Sequence, residues 1–305
     1  MSSGAMHAVN YCVETDYGVV NATPTGIVYP VRYTGFTGGL SRDTFESMEI
    51  RADRISAGTR LGAKNVQWEI ATELSYGSLD TLLQAVTMGT WNTNVLETGT
   101  TRRSYTLERY FADLTTGNKF YRLLGSEFNS LKLSVTTGGI ITATFGGISQ
   151  DEATAAATIA TVAAADTTEP FDAFQGALTN EDGALATVTD FQIELTNGLE
   201  PFFVVGTPLT MLPSVGRSKI SGTLTCRFSD ADYFDKFVSE DKDTLTLTLT
   251  DAATNELEIV LPNVTYTGGA RDVSGDGPVK IVMPFRADYD SGAASNITFT
   301  RTAAV

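Results

Sequence analysis

An internal repeat constrains this sequence more than any other feature. The segment after Gly62 and the segment after Gly216 superimpose without a gap at an offset of 154 residues. In both copies buried-type residues alternate with polar ones, which is the period-two pattern of a strand with one face in a core. The alternating positions are Val66, Trp68, Ile70, Thr72 and Leu74 in one copy and Ile220, Gly222, Leu224, Cys226 and Phe228 in the other.

Each repeated strand is followed by a polar break and then by a short predicted helix. Apolar residues recur at helical spacing at Leu79, Leu82, Leu83 and Val86 in one copy, and at Tyr233, Phe234, Phe237 and Val238 in the other. Ser78 with Asp80 predicts a cap and a first-turn acid for the first helix. Ser229 with Asp232 predicts a capping box for the second helix.

Short alternating strands separated by glycine-rich turns account for most of the remaining chain. They lie at residues 105–109, 120–124, 131–135 and 141–145, and again at 191–195, 245–249, 257–261, 279–285 and 297–299. The sequence therefore predicts a mainly β protein with two tandem β-sandwich or barrel domains. The two domains are an internal duplication, each with one short flanking α-helix.

A change of composition between Gln150 and Pro170 marks the predicted domain boundary. The stretch is rich in Ala and Thr and has no large side chains, which fits a linker or a surface arm, with a short helix as the alternative. We predict an N-terminal β domain with an N-terminal arm at residues 1–150, the Ala/Thr-rich linker or arm at 151–169, and a C-terminal β domain at 170–305.

Composition and charge argue against several classes of function. The chain has 305 residues, of which 36 are acidic and 21 basic, and its net charge is −15. Specific nucleic-acid binding is not expected, because it depends on neutralising phosphates with Lys and Arg. No stretch approaches the roughly 18 to 20 apolar residues of a membrane span, so we expect a soluble protein without a membrane contact. Cys12 and Cys226 lie far apart without a secretory signal pattern, which predicts reduced thiols made in a cytosol.

Few residues are candidates for catalysis. His7 is the only histidine, and its Gly/Ser/Ala-rich surroundings predict a mobile tail, so a catalytic triad has no base. Cys226 lies on the apolar face of its strand, and Cys12 has no activating neighbour in the sequence. We therefore expect no catalytic residues, no metal site and no cofactor. Paired carboxylates for glycoside chemistry stay open, because their separation is set only by the fold.

Two acidic stretches are similar to cation-binding loops but incomplete. The aspartates Asp230, Asp232, Asp235, Asp241 and Asp243 lack the glycine and the closing glutamate of a calcium loop. We predict a solvated cluster that caps a helix. The segment 271–277, with its Gly-Asp-Gly sequence, predicts an ordinary turn before a strand.

Basic and aromatic residues leave two interpretations open. The densest basic features are Arg102 with Arg103, and the series Arg51, Arg54, Arg60 and Lys64. They are either solvated charges or contacts to acidic surface on a neighbouring copy. The main aromatic residues are predicted to lie in a core or an interface rather than on a ligand platform: Phe36, Phe45, Trp68, Tyr76 and Trp91.

Several short motifs resemble a known family. The first half contains Ala22-Thr-Pro24, Val31-Arg-Tyr-Thr34, Glu49-Ile-Arg-Ala-Asp-Arg54, and Glu73-Leu-Ser-Tyr-Gly-Ser78 followed by the Leu82-Leu83 helix. The second half adds Phe171 with Phe174, Leu195-Thr-Asn-Gly-Leu199 and Ile220-Ser-Gly-Thr-Leu224. Together these motifs resemble the two-domain group of tail tube proteins of long-tailed bacteriophages. The resemblance spans most of the chain apart from the Ala-rich linker.

The resemblance implies a structural virion protein that is not an enzyme. Subunits of that family form rings stacked into a hollow tube, and a chain that carries the domain twice implies a trimeric, pseudo-hexameric ring. The implied partners are other copies of the chain and other tail proteins at the tube ends, and viral DNA passes through the lumen without specific binding. The implied location is the virion tail, after synthesis in the bacterial host cytoplasm.

The same resemblance suggests which segments make contacts. Residues 11–32 and 41–64 are the stretches that we expect to bridge consecutive rings, and hairpins from every domain are expected to share one inner barrel. The acidic composition suggests a negative lumen that would repel DNA. Two alternatives stay open: a carbohydrate-binding β-sandwich module, and a ring-forming decoration or tail-terminator protein that does not polymerise.

Overall fold

The computed structural model describes residues 3–20, 27–53, 55–56, 58–185, 187–228, 232–272 and 278–304. Within these ranges the protein is mainly β, as predicted. The strands before residue 156 are β1 (His7–Val13), β2 (Tyr29–Pro30), β3 (Tyr33–Glu46), β4 (Thr59–Glu73), β5 (Val95–Glu97), β6 (Tyr105–Phe111), β7 (Phe120–Thr136), β8 (Thr142–Ser149) and β9 (Asp151–Ala155). The later strands are β10 (Gly176–Asn180), β11 (Gly183–Ala184), β12 (Val188–Thr196), β13 (Glu200–Phe203), β14 (Thr210–Ser214), β15 (Lys219–Arg227), β16 (Asp243–Thr250), β17 (Glu256–Tyr266), β18 (Ala270–Asp272), β19 (Lys280–Ala287) and β20 (Thr298–Thr302).

Two short helices follow the two repeated strands, which confirms the prediction. They are α1 (Asp80–Thr87) and α2 (Asp232–Ser239). The predicted cap of α1 is wrong, because Leu79 is the N-cap residue and makes no side-chain cap bond. The Ser78 hydroxyl lies instead 2.5 Å from the Ser75 hydroxyl. The predicted capping serine of α2, Ser229, lies outside the described residues.

One antiparallel sheet runs through both halves of the chain. Its strand order is β3-β4-β8-β7-β12-β15-β19-β17-β16-β10, and the halves meet where β7 pairs with β12. At this junction Leu133 lies opposite Ile193, and Leu131 lies opposite Leu195. A second layer, ordered β2-β1-β6-β7-β9, uses the N-terminal part of the long strand β7.

The two repeated strands have corresponding neighbours. β4 lies between β3 and β8, and β15 lies between β12 and β19. Phe36 on β3 lies opposite Ile70, and Phe191 on β12 lies opposite Leu224, a residue separated from Ile70 by the repeat offset of 154. The order of pairing is therefore the same around both strands. The division into two domains at residues 150 and 170 stays a prediction.

The predicted linker begins as part of the fold. Its first five residues form β9, which pairs with β7. Further along, Val162 makes an isolated bridge to Val28, and Pro170 makes one to Ser75. Glu108 also accepts hydrogen bonds from the Thr158 hydroxyl and the Ile159 backbone N–H, so this stretch runs along the N-terminal half of the structure and contacts it repeatedly.

Most of the buried apolar side chains form one large cluster that includes both halves, and Met88, Ile148 and Leu199 form a small second one. Members of the large cluster include the predicted strand residues Val66, Trp68, Ile70 and Leu74, together with Ile220, Leu224 and Cys226. Trp68 is buried against Phe128 at 4.9 Å between ring centroids, and its indole N–H donates to the Ser149 hydroxyl at 2.9 Å. Such a partner is needed because a buried, unbonded polar group costs free energy.

Ile193 tests the contribution of the junction between the halves. It is buried opposite Leu133, so Ile193→Ala removes apolar contacts and leaves a cavity. We expect the free energy of unfolding to fall by about 2 to 5 kcal/mol in denaturant titrations. The neighbouring exposed change Glu194→Gln should alter it by no more than about 0.5 kcal/mol. Equal effects of the two variants would contradict a packed junction.

Candidate assembly surfaces

The hairpin of β3 and β4 ends in an exposed apolar tip. Met48 is 92% exposed and Ile50 is 98% exposed, and further apolar residues of the tip, which we define as residues 40–61, are also exposed: Leu40, Phe45, Ile55 and Leu61. An exposed ion pair at 2.8 Å joins Arg51 to Asp53 in the tip. So many apolar side chains on a projecting hairpin are unusual for a surface that stays in water.

A second apolar tip, which no sequence pattern predicted, lies on the hairpin of β13 and β14. We define it as residues 200–215, where the exposed side chains are Phe202, Phe203, Val204, Val205, Met211, Leu212 and Val215. The signal in the sequence was the run of four apolar residues at 202–205. It was missed because the run does not alternate and follows the predicted strand at 191–195 too closely.

The two tips meet near Lys64. The Lys64 backbone N–H donates to the Pro208 carbonyl at 2.8 Å, and the Lys64 ammonium lies 2.6 Å from the Asp151 carboxylate. Lys64 is therefore a partner of groups in its own chain and not a solvated charge. The contact places both apolar tips at the same end of the sheet.

The face of the sheet opposite the core is polar and nearly balanced in charge. Its residues alternate with the buried ones from β4 to β19, in rows such as Thr144, Lys132, Glu194, Ser221 and Arg286. Among the side chains that the structure describes, the charged ones on this face are four acids and five bases: Glu69, Glu73, Asp190, Glu194, Lys132, Lys219, Arg227, Lys280 and Arg286. The acids that give the chain its charge of −15 therefore lie mainly elsewhere.

His7 is not in a mobile tail, so that expectation is wrong. It begins β1, where it pairs with Phe111, and its Nδ1 lies 2.6 Å from the Tyr33 hydroxyl. The Tyr33 hydroxyl donates to the His7 carbonyl at 2.6 Å, and the Arg109 Nε–H points at His7 Nε2 at 3.5 Å. This arrangement places the ring proton on Nδ1. His7 is thus a structural residue next to β3.

Cys12 and Cys226 are both buried thiols that form no disulfide, as predicted. Burial, followed by the nearby Glu14 and Glu108 carboxylates, raises the pKa of Cys12. A raised pKa keeps the thiol protonated and unreactive. Neither cysteine has the environment of a nucleophile.

Asp243 is not a solvated acid, contrary to prediction. Its carboxylate is fully buried and accepts hydrogen bonds from the Tyr266 hydroxyl at 2.9 Å and from the Asn180 amide at 3.2 Å. The Lys236 ammonium of α2 lies 3.1 Å away. Asp241 accepts from Ser239 at 2.6 Å, whereas Asp230 and the side chain of Asp232 lie outside the described residues. Among the residues that the structure describes, no three metal-ligating side chains come together.

Arg102 and Arg103 bind groups in their own chain. Arg102 pairs with the buried carboxylate of Glu127 at 2.5 Å, and Arg103 donates to the Gly89 carbonyl and the Thr90 hydroxyl, both at 2.7 Å. Burial raises the pKa of Glu127, and Arg102 opposes that rise. These arginines fix loops rather than offer free charge. Arg54 lies outside the described residues, as do residues 273–277 of the predicted turn.

Of the five aromatic residues predicted to lie in a core or an interface, four lie in or against the core and one lies on the surface. Trp68 is buried, and Phe36, Tyr76 and Trp91 pack against the core. Trp91 also lies 4.0 Å below the Arg301 guanidinium, which bonds to Asp80 of α1. Phe45 is exposed in the first tip. They form no row of exposed rings.

These features define a class: a mainly β protein with groups of exposed apolar side chains at the ends of two hairpins. No helix in the described part of the chain is long and apolar enough to cross a membrane. Residues 4–300 match the family model described as phage tail tube protein. The chain therefore belongs to the phage tail tube protein family and is a structural component of a phage tail. A comparison with curated proteins gave no match.

Two acids that share Lys236 allow a matched test of the buried network. Asp243 is fully buried, whereas Asp182, 2.5 Å from the same ammonium, is 74% exposed. We expect Asp243→Asn to lower the free energy of unfolding by about 1 to 3 kcal/mol, because the amide nitrogen cannot accept a hydrogen bond and a buried donor of the network is left without a partner. Asp182→Asn should change it by less than about 1 kcal/mol. Denaturant unfolding of both variants measures the two changes. Equal changes in the free energy of unfolding would contradict a stabilising role of the buried network around Asp243.

His7 predicts a pH dependence of stability. Burial, and then the charge of Arg109, lower the pKa of His7. The unfolded chain therefore holds the imidazole proton more tightly, so the folded state loses stability as the pH falls through about 6.5. We expect His7→Gln to lose less stability than the unmodified chain between about pH 7.5 and about pH 5.5. Parallel stability curves for the two proteins would rule out this contribution.

Proposed function

We propose that this protein is the tail tube subunit, which self-assembles into stacked trimeric rings that form the hollow tube for passage of viral DNA into the host. The observation that supports this most strongly is the pair of apolar tips at one end of the sheet. Burial of apolar surface is the main favourable contribution to protein association. Tips that remain exposed in the subunit are therefore suited to contact another copy.

The trimeric ring is supported by the repeated strand pairing. Each chain supplies two strands with the same neighbours in the same order, β4 and β15. Three chains therefore supply six such units, which gives a pseudo-hexameric ring. Closed cyclic symmetry of this kind satisfies strand edges that an isolated sheet leaves at its ends.

Contacts between consecutive rings are assigned to the apolar tips and to the N-terminal arm. The segment 41–64 contains most of the first tip. The arm at residues 11–32 is held at its ends, because Tyr11 on β1 lies opposite Tyr29 on β2. The second tip, at residues 200–215, extends the contact surface beyond the segments expected from the sequence.

The polar face of the sheet is assigned to the lumen. The acidic composition suggested a negatively charged lumen wall. On this face, however, the described positive and negative charges nearly cancel. A balanced wall neither holds phosphates as a basic surface does nor repels them strongly. It fits passage of DNA without specific binding. Lys132 lies directly opposite Glu194, so neighbouring strands offset each other's charge.

The proposed function is structural, and the described grooves contain few titratable side chains. Three grooves have volumes of about 310, 330 and 360 Å³. Their titratable side chains are Asp190 in the first, Lys132, Glu194 and Arg286 in the second, and Glu69 in the third. No histidine or cysteine lines these grooves, so none of them pairs a strong nucleophile with a base.

The proposed partners are other copies of the chain and, at the ends of the tube, other tail proteins. The proposed site of synthesis is the cytoplasm of the bacterial host, where both buried cysteines stay reduced.

Electron microscopy of the purified protein at rising concentration tests the proposed function. We expect rings with threefold symmetry and hollow tubes with a regular axial repeat. Rings that never stack would favour a decoration or terminator protein. A monomer at every concentration would contradict the proposal.

The first tip predicts a variant that separates ring stacking from folding. In Met48→Ser/Ile50→Ser two side chains that are 92% and 98% exposed lose their apolar groups. We expect tubes to disappear while the unfolding midpoint stays within about 2 °C, because exposed substitutions hardly affect stability. Val238→Ser, an apolar-to-polar change at another exposed residue, should leave tubes intact. Normal tubes from the double variant would exclude the tip from the contact.

A further inference from the structure

The outer edge of β3 is covered by two charged side chains of the same chain. In the described ranges β3 pairs with β4 alone. The Leu40 backbone N–H donates to the Glu152 carboxylate at 2.8 Å, and the Gly38 carbonyl accepts from the Arg109 guanidinium at 3.4 Å. Arg109 is held in place by the Phe36 ring, 4.4 Å from its guanidinium carbon. Charged side chains at a strand edge are a common way to prevent uncontrolled pairing.

The corresponding edge in the second half is covered by a strand. Gly38 and Leu40 lie opposite Trp68 and Val66, and the repeat offset matches these to Gly222 and Ile220. The residues opposite Gly222 and Ile220 are Ile193 and Leu195 of β12. Both pair with β7 on their other side. Glu152 and Arg109 therefore occupy, at β3, the place that β7 occupies at β12.

The strand that corresponds to β7 in the second half is β18. β7 lies beside β8, which is the neighbour of β4, and β18 lies beside β19, which is the neighbour of β15. Lys132 lies opposite Thr144 on β8, and Ala270 lies opposite Val282 on β19. On the other side of β8, Thr144 lies opposite Ala71 of β4, and on the other side of β19, Val282 lies opposite Thr225 of β15. Because Ala71 and Thr225 are separated by the repeat offset of 154, Lys132 and Ala270 hold matching places.

We propose that the edge of β3 in one copy pairs antiparallel with β18 of the next copy, with Gly39 opposite Ala270 and Thr37 opposite Asp272. This register is copied from the β7 and β12 junction, where Glu194 lies opposite Lys132 and Gln192 lies opposite Ser134. Glu152 and Arg109 cover the β3 edge before assembly and leave it when the strands pair. The inference rests on the proposed ring-forming function, and it adds the partner strand, the register and the cover.

This interface is head to tail, because two different strands of the chain meet. A head-to-tail contact closes into a ring when the rotation between copies is right, and it does not join two identical surfaces. Pairing exchanges two side-chain hydrogen bonds for backbone ones, so the hydrogen-bond partners change while their number is kept. Glu152 and Arg109 therefore slow the pairing of the strands but change the stability of the final ring little.

Cysteine cross-linking tests the register. Thr37→Cys and Asp272→Cys are made as single variants and assembled alone and as a mixture under mild oxidation. We expect disulfide-linked dimers only in the mixture, and covalent trimers from the double variant. The off-register pair Thr37→Cys with Ala270→Cys should cross-link at least about fivefold less, because its Cβ atoms are farther apart than a disulfide allows.

The outcomes separate this inference from the proposed function. Tubes that form without the expected cross-link, or that cross-link better off register, overturn the β3 and β18 pairing while the tube function stands. Absence of rings and tubes from the unmodified chain overturns both. If a cysteine variant does not assemble, hydrogen exchange measured on the unmodified chain tests the same pairing. The amide of Leu40 should exchange at least about tenfold more slowly in the tube than in the subunit, and an unchanged rate overturns the pairing.

The cover is tested by the rate of assembly. Glu152→Gln replaces a charge-assisted hydrogen bond to Leu40 with a neutral one that is roughly half as strong. We expect the initial rate of tube formation, followed by light scattering, to rise about threefold to tenfold. Glu169→Gln makes the same change in net charge at an exposed residue and should leave the rate unchanged. Equal rates for the two variants overturn the role of Glu152 as a cover.

Discussion

The pairing of β7 with β12 is the interaction on which the rest of the structure depends. Seven residues of each strand lie in register from Asp190 opposite Thr136 to Thr196 opposite Ser130. This contact turns two sheets into one, aligns their polar faces and joins their cores. Asn197, just beyond the junction, strengthens it by donating to the Val86 carbonyl of α1 at 2.7 Å. A second strand pairing between the halves, of β20 with β5, adds to this contact.

Sequence patterns predicted the elements of this fold well, because alternation and helical spacing report on single segments. The strand at Val66–Leu74 and the helix at Leu79–Val86 follow directly from which side chains need burial. The junction could not be predicted in this way, because the partner of a strand edge is set by backbone groups that look alike in every strand. The family resemblance, by contrast, was visible in short motifs and agrees with the family match over residues 4–300.

The candidate surfaces were predicted less completely, and for physical reasons. The first apolar tip fell within a stretch expected to make contacts, but the tip at Phe202–Val205 has no periodicity to mark it. The charge of the polar face could not be obtained from a net charge of −15, because composition says nothing about which side of a strand a residue occupies. Asp243 and His7 were misjudged because their partners lie on other strands, Tyr266 on β17 and Tyr33 on β3, and the side chains meet only in the folded chain.

The strand β20 from the C-terminal half completes the first half of the molecule. β20 pairs with β5 through Thr300 opposite Val95 and Thr298 opposite Glu97, and Arg301 bonds to Asp80. Asp80 and Arg301 are 221 positions apart in the sequence, so a ribosome releases β20 long after α1. A chain that is still being translated therefore lacks the contact between Arg301 and α1 until β20 has emerged, so its N-terminal half is completed only by a strand from the C-terminal half. The order of synthesis thus keeps the N-terminal half incomplete until strands of both halves are present.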